Sequence, residues 1–551
     1  MSISFPHLFL KYTSICGIFL SSIIGTCVRG YAQHPITLLE GEQLGDIAWE
    51  DARAFTVVTR STLNRLKATD EGIPPNLQAL SDTAFAAFEK KDNYRAYRLF
   101  MRFMAMTRDS SSGEGTELAA SYNLVLNRTI TNTDDTLHVQ LKPLFSLGHP
   151  LSGEYTARLS LRGTKGVVDE RALPISSVRA FDSALSTTGL PEGRAGVRYE
   201  LRDPAGKLLL RVTRAFLHTD TMSSRLKILQ TRLKTLHGEN IASRGASQRA
   251  AIETIEYIVA HLEEMHAKYV GDLRRTAQPM VMKYRRSGRG LTWRGAINIP
   301  ADIDLAETLS SALLAGKDPL KKSTGDFHLA YQSAVDSQLV PYRIFVPEGY
   351  TPDRSWPLII GLHGASGSEN TWLDRRRRGE TENLCKHLSQ ERGYLFVAPS
   401  GRGPFTGYRR IGGQDVMDVL DRVLSIYNID PERVYLTGHS MGGGGTWILG
   451  LRHAEKFAAI APIAASGRWV RSRHVKPHAD LPVLFSQGAK DMVALAEPAR
   501  RTAKLLAKYM TNFTYTEYPD DTHNTIWYTA LPSIFDFFDA HGRKEKGKSK
   551  K

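Results

Sequence analysis

The spacing of apolar positions along this chain changes several times, and the changes divide it into regions. Over 76–107, Leu77, Leu80, Ala84 and Phe88, then Tyr97, Phe100, Met101 and Met104, recur mostly at steps of three and four, the spacing of one helix face. KKDN (90–93) interrupts them, so a helical hairpin is predicted. Between about 119 and 218 the step shortens to two. Ala157, Leu159 and Leu161, and later Val197, Tyr199 and Leu201, alternate with polar residues, and DPAG (203–206) links two strand-like runs. Such alternation turns one face of a strand toward a core, and the link has hairpin chemistry, so a small antiparallel β domain is predicted. Helical spacing returns at 223–237 (Leu226, Leu229, Leu233, Leu236, with Gly238 as C-cap) and at 247–269 (Ile252, Ile255, Val259, Leu262, Tyr269). The Arg-, Gly- and Lys-rich stretch 284–324 reads as a connector.

From about 325 the texture changes again. Apolar runs YRIFVP (342–347), PLIIGLHG (357–364), YLFVAPS (394–400), VYLTG (434–438), FAAIAPIAA (457–465), PVLFSQG (482–488) and FTYTEYP (513–519) are separated by helical stretches such as 413–427 and 496–510. Strand and helix in alternation predict an α/β architecture, a doubly wound and mostly parallel sheet covered on both faces. A chain of 551 residues is too long for one core. The expected division is a leader (1–32), a helical N-terminal region (33–118), a small β domain (119–222), a helical region and connector (223–324), a catalytic domain (325–541) and a basic tail (542–551).

Composition adds little at 42% hydrophobic and 23% charged, ordinary values for folded protein. The net charge of +15 matters mainly at the ends. The tail RKEKGKSKK sets six basic residues against Glu545 and reads as a solvated end; no nucleic-acid partner is expected. Residues 15–28, ICGIFLSSIIGTCV, are apolar but short for a membrane span; Lys11 precedes them, and Gly30 and Ala32 follow. This is the pattern of a secretory signal cut after Ala32, giving a secreted or periplasmic protein with no stable membrane span; an uncleaved anchor is the alternative. Cleavage would leave Cys385 without Cys16 and Cys27, hence no intrachain disulfide. No spacing suggests a metal site, and neither metal nor cofactor is expected.

Candidate chemistry centres on LTGHSMGGGG (436–445), where an apolar strand runs into a serine flanked by glycines and then into a helical stretch. In a GxSxG turn the serine stands proud of a sheet, beside a helix N-terminus that favours negative charge. Serine needs a base to take its proton, and the base needs an acid to fix its tautomer. Asp491 follows the strand PVLFSQG, and His523 follows the strand FTYTEYP; both fit the order serine, acid, histidine. His453 lies on the next helix, His474 and His478 have no strand leading into them, and His541 opens the tail. His439 reads as packed behind the turn, and Asp520 and Asp521 adjoin His523 only in sequence. An oxyanion needs two aimed donors. The Met441 N–H is one candidate; the second is that of Ala365, or of Gly364, in the small-residue loop after LIIGLHG.

Together, HGASGSEN (363–370), SGRGP (400–404), TGHSMGGGGTW (437–447), AAIAPIAA (458–465) and QGAKD (487–491) resemble the secreted esterase group of the α/β-hydrolase superfamily. That group includes polyhydroxybutyrate-depolymerase-like and feruloyl-esterase-like enzymes and is often grouped with prolyl-oligopeptidase-like catalytic domains. The resemblance covers about 325–541. It implies an α/β-hydrolase fold, a Ser440–Asp491–His523 triad and an oxyanion hole from Met441 and Ala365. The leading expectation is a serine hydrolase cleaving carboxylic esters, polymeric ones included, through an acyl-serine intermediate. A prolyl-oligopeptidase-like peptidase acting on a peptide substrate is second, because no propeller repeat precedes the domain. A binding scaffold that has lost its chemistry is third. Near the mouth, DRRRRGE (374–380) is a solvated loop or an anion attractor, and Arg402, Tyr408 and Arg409 are candidate substrate contacts. Asp415 and Asp418 read as dipole partners in the first turn of their helix.

Overall fold

Among the described residues three clusters of buried apolar side chains organise the chain, one in its N-terminal part and two on opposite faces of the large sheet. The computed structural model describes residues 42–45, 49–69, 72–107, 113–239, 243–267, 299–365, 367–377, 379–403, 406–467 and 470–542. The leader and nearly all of the basic tail lie outside them. Among the described residues no helix is long and apolar enough to cross a membrane.

The first interior begins with helices α1 (Trp49–Lys67), α2 (Pro75–Glu89), α3 (Asn93–Met106) and α4 (Gly113–Ala120). The hairpin of α2 and α3 turns at Lys91, which takes a φ of 62°. Strands follow as β1 (Tyr122–Leu126), β2 (Ile130–Thr131), β3 (Thr136–Pro143), β4 (Tyr155–Gly163), β5 (Gly166–Ile175), β6 (Phe181–Ser186), β7 (Gly193–Arg202) and β8 (Leu208–His218). They form a three-stranded sheet, β1-β3-β6, and a five-stranded sheet, β2-β8-β7-β4-β5. Pairing is antiparallel except for the short β2–β8 contact, which is parallel. The two-residue alternation has the expected effect: Leu159 faces Tyr199 across β4 and β7, and both are buried with Phe55, Tyr97 and Phe100 from the helices.

The second interior starts earlier in the chain than the change of texture at 325. Helices α5 (Met222–Gly238), α6 (Ala246–Ala267) and α7 (Ile299–Leu314) lead into β9 (Gly325–Gln332) and β10 (Leu339–Val346). Leu229, Ile255 and Leu309 from these helices share one core with Leu329, Tyr342, Leu358 and Leu436 of the sheet. The stretch expected to be only a connector therefore contains α7, whose apolar residues Ile303, Ala306, Leu309 and Leu313 are buried. Gly238 is the last residue of α5 rather than its cap.

The remaining elements alternate as predicted: β11 (Trp356–Leu362), α8 (Thr371–Asp374), α9 (Leu384–Arg392), β12 (Leu395–Pro399), α10 (Ile411–Ile426), β13 (Ile429–His439), α11 (Met441–Arg452), β14 (Ala459–Ile463), α12 (Ser472–Val475), β15 (Val483–Gly488), α13 (Ala496–Leu506), β16 (Phe513–Tyr518), α14 (Ile526–Thr529) and α15 (Leu531–Asp539). The eight-stranded sheet has the order β16-β15-β14-β13-β11-β12-β10-β9. It is parallel from β12 to β16, and β10 and β9 join antiparallel at one edge. Leu358, Ile360 and Leu362 of β11 enter the core shared with α5–α7, whereas Ile359 enters the third cluster, on the other face, with Trp372, Trp527 and Phe535. A strand buried on both faces reads as a continuous apolar run, which is why β11 is plain in the sequence. From β11 the sheet is extended by β12 on one side and by β13 on the other. Loops leaving the carboxyl ends of β11 and β13 therefore diverge, and such a switch point is where open α/β sheets hold their ligands.

Candidate active site

Ser440 sits between the end of β13 and the start of α11, with φ 58° and ψ −113°. A non-glycine residue there carries strain on the order of 1–3 kcal/mol, which its surroundings must over-determine. The Ser440 N–H donates to the Ile463 carbonyl at 2.9 Å, and the Ser440 carbonyl accepts from the Gly444 N–H at 3.0 Å, so both sides of the turn are pinned.

Close approach explains most of the neighbouring glycines. A Cβ on Gly442 would lie 2.1 Å from the Leu362 carbonyl oxygen; one on Gly443 would lie 2.5 Å from that of Ile463. One on Gly445 would meet the Tyr408 ring at 2.6 Å. Helix α11 thus lies directly against the ends of β11 and β14. Gly442→Ala is expected to lower stability by about 3 kcal/mol or more, because the obstacle is backbone rather than a movable side chain. A chemical denaturation midpoint unchanged from wild type would show that the helix can move off the strand.

The structure brings Ser440, His523 and Asp491 together. Ser440 Oγ is 2.9 Å from His523 Nε2, and His523 Nδ1 is 2.7 Å from Asp491 Oδ2. All three side chains are buried. Asp491 Oδ1 accepts from the Val493 and Ala494 N–H groups, each at 2.8 Å, while Oδ2 faces the imidazole and accepts a longer bond from Gln487 Nε2 at 3.4 Å. His439 supports His523 from behind: its ring lies 4.8 Å from that of His523, and its Nε2–H donates to the His523 carbonyl at 2.8 Å. Burial, aided by His523 and Arg375, pushes the His439 imidazole well below its ordinary range, so it stays neutral. Asp520 turns outward to Lys490, and Asp521 accepts from Thr529. Neither carboxylate is hydrogen-bonded to the His523 ring.

The loop after β11 runs beside the serine. A Cβ on Gly364 would lie 3.2 Å from His439 Nδ1 and 3.5 Å from Ser440 Cβ. Ala365 and Met441 are buried, and their backbone N–H groups have no hydrogen-bond acceptor among the described residues. Tyr408 OH donates to the His363 carbonyl at 3.1 Å, and His363 Nε2 meets the Ser400 carbonyl at 2.8 Å, fixing where the loop begins.

Two of the expected substrate contacts are occupied elsewhere. Tyr408 is fully buried between His363 and Gly445, where no ligand can reach its ring. Arg402 is held by Asp336 and by both oxygens of Asp415, so its guanidinium braces the loop. Asp415 is buried, accepts from Tyr331 OH as well, and is no first-turn dipole partner. Arg409 is exposed. In the arginine run, Arg375 stacks over Trp527 and Arg377 over Tyr528, so the aromatic residues just after His523 hold this loop in place.

A serine at a strained strand-to-helix turn, hydrogen-bonded to a histidine and through it to an acid, on a sheet of this order, is the arrangement of the α/β-hydrolase fold. Relatives that the chain matches are named as esterases. Over 126 residues the chain is 32% identical to a probable feruloyl esterase C of Aspergillus terreus, a match covering 22% of this chain and 45% of that protein. Over 153 residues it is 29% identical to a bifunctional acetylxylan esterase/xylanase of Neocallimastix patriciarum, covering 27% and 21% respectively. The matched segments thus span less than half of these relatives. Among solved structures, the feruloyl esterase module from Clostridium thermocellum complexed with sinapinate aligns with a TM-score of 0.34 at 16% identity, covering 41% of this chain and 90% of that one. A thermostable esterase aligns at 0.33 and 14% identity, covering 76% and 100%. No protein-family model matches the chain.

Proposed function

We propose that this protein is an exported serine hydrolase that cleaves carboxylic esters through an acyl-Ser440 intermediate. The observation that carries the proposal is the continuous hydrogen-bonded line from Ser440 Oγ through His523 to Asp491. His523 Nε2 takes the hydroxyl proton as Oγ adds to the ester carbonyl, and Asp491 stabilises the resulting imidazolium. The tetrahedral oxyanion is held by the N–H groups of Met441 and Ala365. As the carbon–oxygen bond breaks, the leaving alkoxide collects its proton from His523 Nε2. Water then adds to the acyl-enzyme with His523 again as base, and the acid departs as Oγ is reprotonated. The apolar segment 15–28 followed by Ala32 supports export.

The similarity to feruloyl and acetylxylan esterases points to feruloyl and acetyl esters as the acyl groups to try first. Methyl ferulate and 4-nitrophenyl acetate should be turned over, and a prolyl 4-nitroanilide should be hydrolysed at least about 100-fold more slowly, because amide nitrogen is the poorer leaving group and the leaving group must be protonated by His523. Faster release of nitroaniline than of nitrophenol would overturn the ester assignment in favour of a peptidase.

A further inference from the structure

Outside the serine site, a buried set of charges lies where helix α7 meets the sheet. His328 on β9 is 5% exposed and held at both ring nitrogens: Nδ1 is 3.2 Å from Asp302 Oδ1 on α7, and Nε2 is 3.2 Å from Glu369 Oε1. Glu369 is 0% exposed and lies in the loop that carries Ala365, four residues further along. Its neighbour Asn370 donates to the same Glu369 oxygen at 3.1 Å and accepts from Arg343 of β10. Arg343 in turn forks onto Asp326 of β9 at 2.6 and 2.9 Å.

Stability does not account for this arrangement. Burying two carboxylates and an imidazole costs several kcal/mol per ion in lost hydration, and apolar residues of equal volume usually do as well or better. Here Glu369 Oε2 and Asp302 Oδ2 are buried without a protein donor among the described residues, so the set is not fully satisfied even now. Its position is what distinguishes it. The loop from His363 to Asn370 is clamped at its start by Tyr408 and the Ser400 carbonyl, and at its end by His328 and Arg343. Ala365 lies between the two clamps.

We infer that Glu369 is a positioning residue for the oxyanion loop, held by His328 and, through it, by Asp302 of the helical region that precedes the sheet. The inference rests on the proposed role of Ala365 as an oxyanion donor. It makes α7 part of the support of the reaction centre.

The charge state gives the inference a signature. Burial alone would depress the His328 imidazole, but Asp302 and Glu369 outweigh it and lift it from 6.5 to about 9. Tyr257 of α6 meets His328 edge-on and is pushed well above its ordinary value by burial and the nearby carboxylates. His261 of the same helix is pushed down by burial. Tyr408, which senses Glu369, is pushed up by burial. Arg343, which senses Asp302, remains charged. Because the folded-state value of His328 lies above its ordinary one, the clamp is complete below about pH 6.5 and is lost as pH rises through about 9.

The test is the pH dependence of kcat for 4-nitrophenyl acetate, corrected for spontaneous hydrolysis, in the full chain. Wild type should lose kcat through about pH 9 while KM changes little. Glu369→Gln keeps the shape and removes the charge. It should cut kcat at pH 7 by about 10–100-fold, as a misplaced oxyanion donor does, and move the alkaline limb down by about one pH unit or more. Asp302→Asn leaves the loop itself untouched and should move the limb the same way. Ser440→Ala serves as the reference: turnover that survives it removes the proposed function, whatever Glu369 does. With turnover dependent on Ser440, a wild-type kcat flat from pH 8 to 10 overturns the inference, even if both variants fail to fold. So does a folded Glu369→Gln with unchanged kcat and limb. A loss confined to thermal stability, with the limb in place, would also overturn it, because that is what packing alone predicts.

Discussion

Ser440→Ala is expected to abolish covalent labelling by a fluorophosphonate and to lower ester turnover by about 10⁶-fold, with the thermal midpoint close to that of wild type. The Cβ stays, so the strained backbone at φ 58° is no worse off, and the pinning bonds from Ile463 and Gly444 use only backbone atoms. What disappears is Oγ and its 2.9 Å bond to His523. The proposed oxyanion donors at Met441 and Ala365 keep their backbone N–H groups and would account for a small residual rate. Labelling that persists in the variant would place the nucleophile elsewhere. A wild-type protein that is folded yet never labels would favour a binding scaffold over an enzyme.

Asp491→Asn should cost about 10⁴-fold in kcat with the fold intact. An Asn oxygen can still accept from the Val493 and Ala494 N–H groups, so the turn that presents the side chain survives. The amide then faces His523 Nδ1 as a donor. It favours the tautomer with the proton on Nε2, which cannot accept the serine proton. Asp520→Asn and Asp521→Asn are the controls, because these carboxylates engage Lys490 and Thr529 and should leave turnover within a few-fold of wild type. Near-normal kinetics in Asp491→Asn combined with a dead Asp520 or Asp521 variant would reassign the acid.

What the chain discloses before folding depends on whether a residue's partners are near it in sequence. Strand β11 is legible because both its faces are buried and nothing polar interrupts WPLIIGL. The elbow is legible because strand, serine and glycines are contiguous. Asp491 and His523 are 32 positions apart, but each ends a recognisable strand, and parallel strands put such ends on one edge of a sheet. The buried set of Asp302, His328 and Glu369 offers no such handle. Its members come from a helix hidden among charged and glycine-rich neighbours, from the edge strand β9, which no apolar run announces, and from a loop. Arg402 and Tyr408 mislead for a related reason. A loop rich in Arg, Tyr and Gly after a strand reads as a binding loop, yet Asp336, Asp415 and Gly445, which use up those side chains, are visible only in three dimensions.

Helix α11 contains glycines at 442–445 and again at 450, within twelve residues. Each costs about 1 kcal/mol of helix propensity relative to alanine, a sum that no isolated peptide of that length would overcome. The helix therefore exists only where β11, β14 and Tyr408 are already in place to receive its bare face. The stability of the bend at Ser440 is thereby tied to that of the sheet behind it. Covalent labelling of Ser440 is therefore expected to report on the integrity of the sheet as well as on the presence of the hydroxyl.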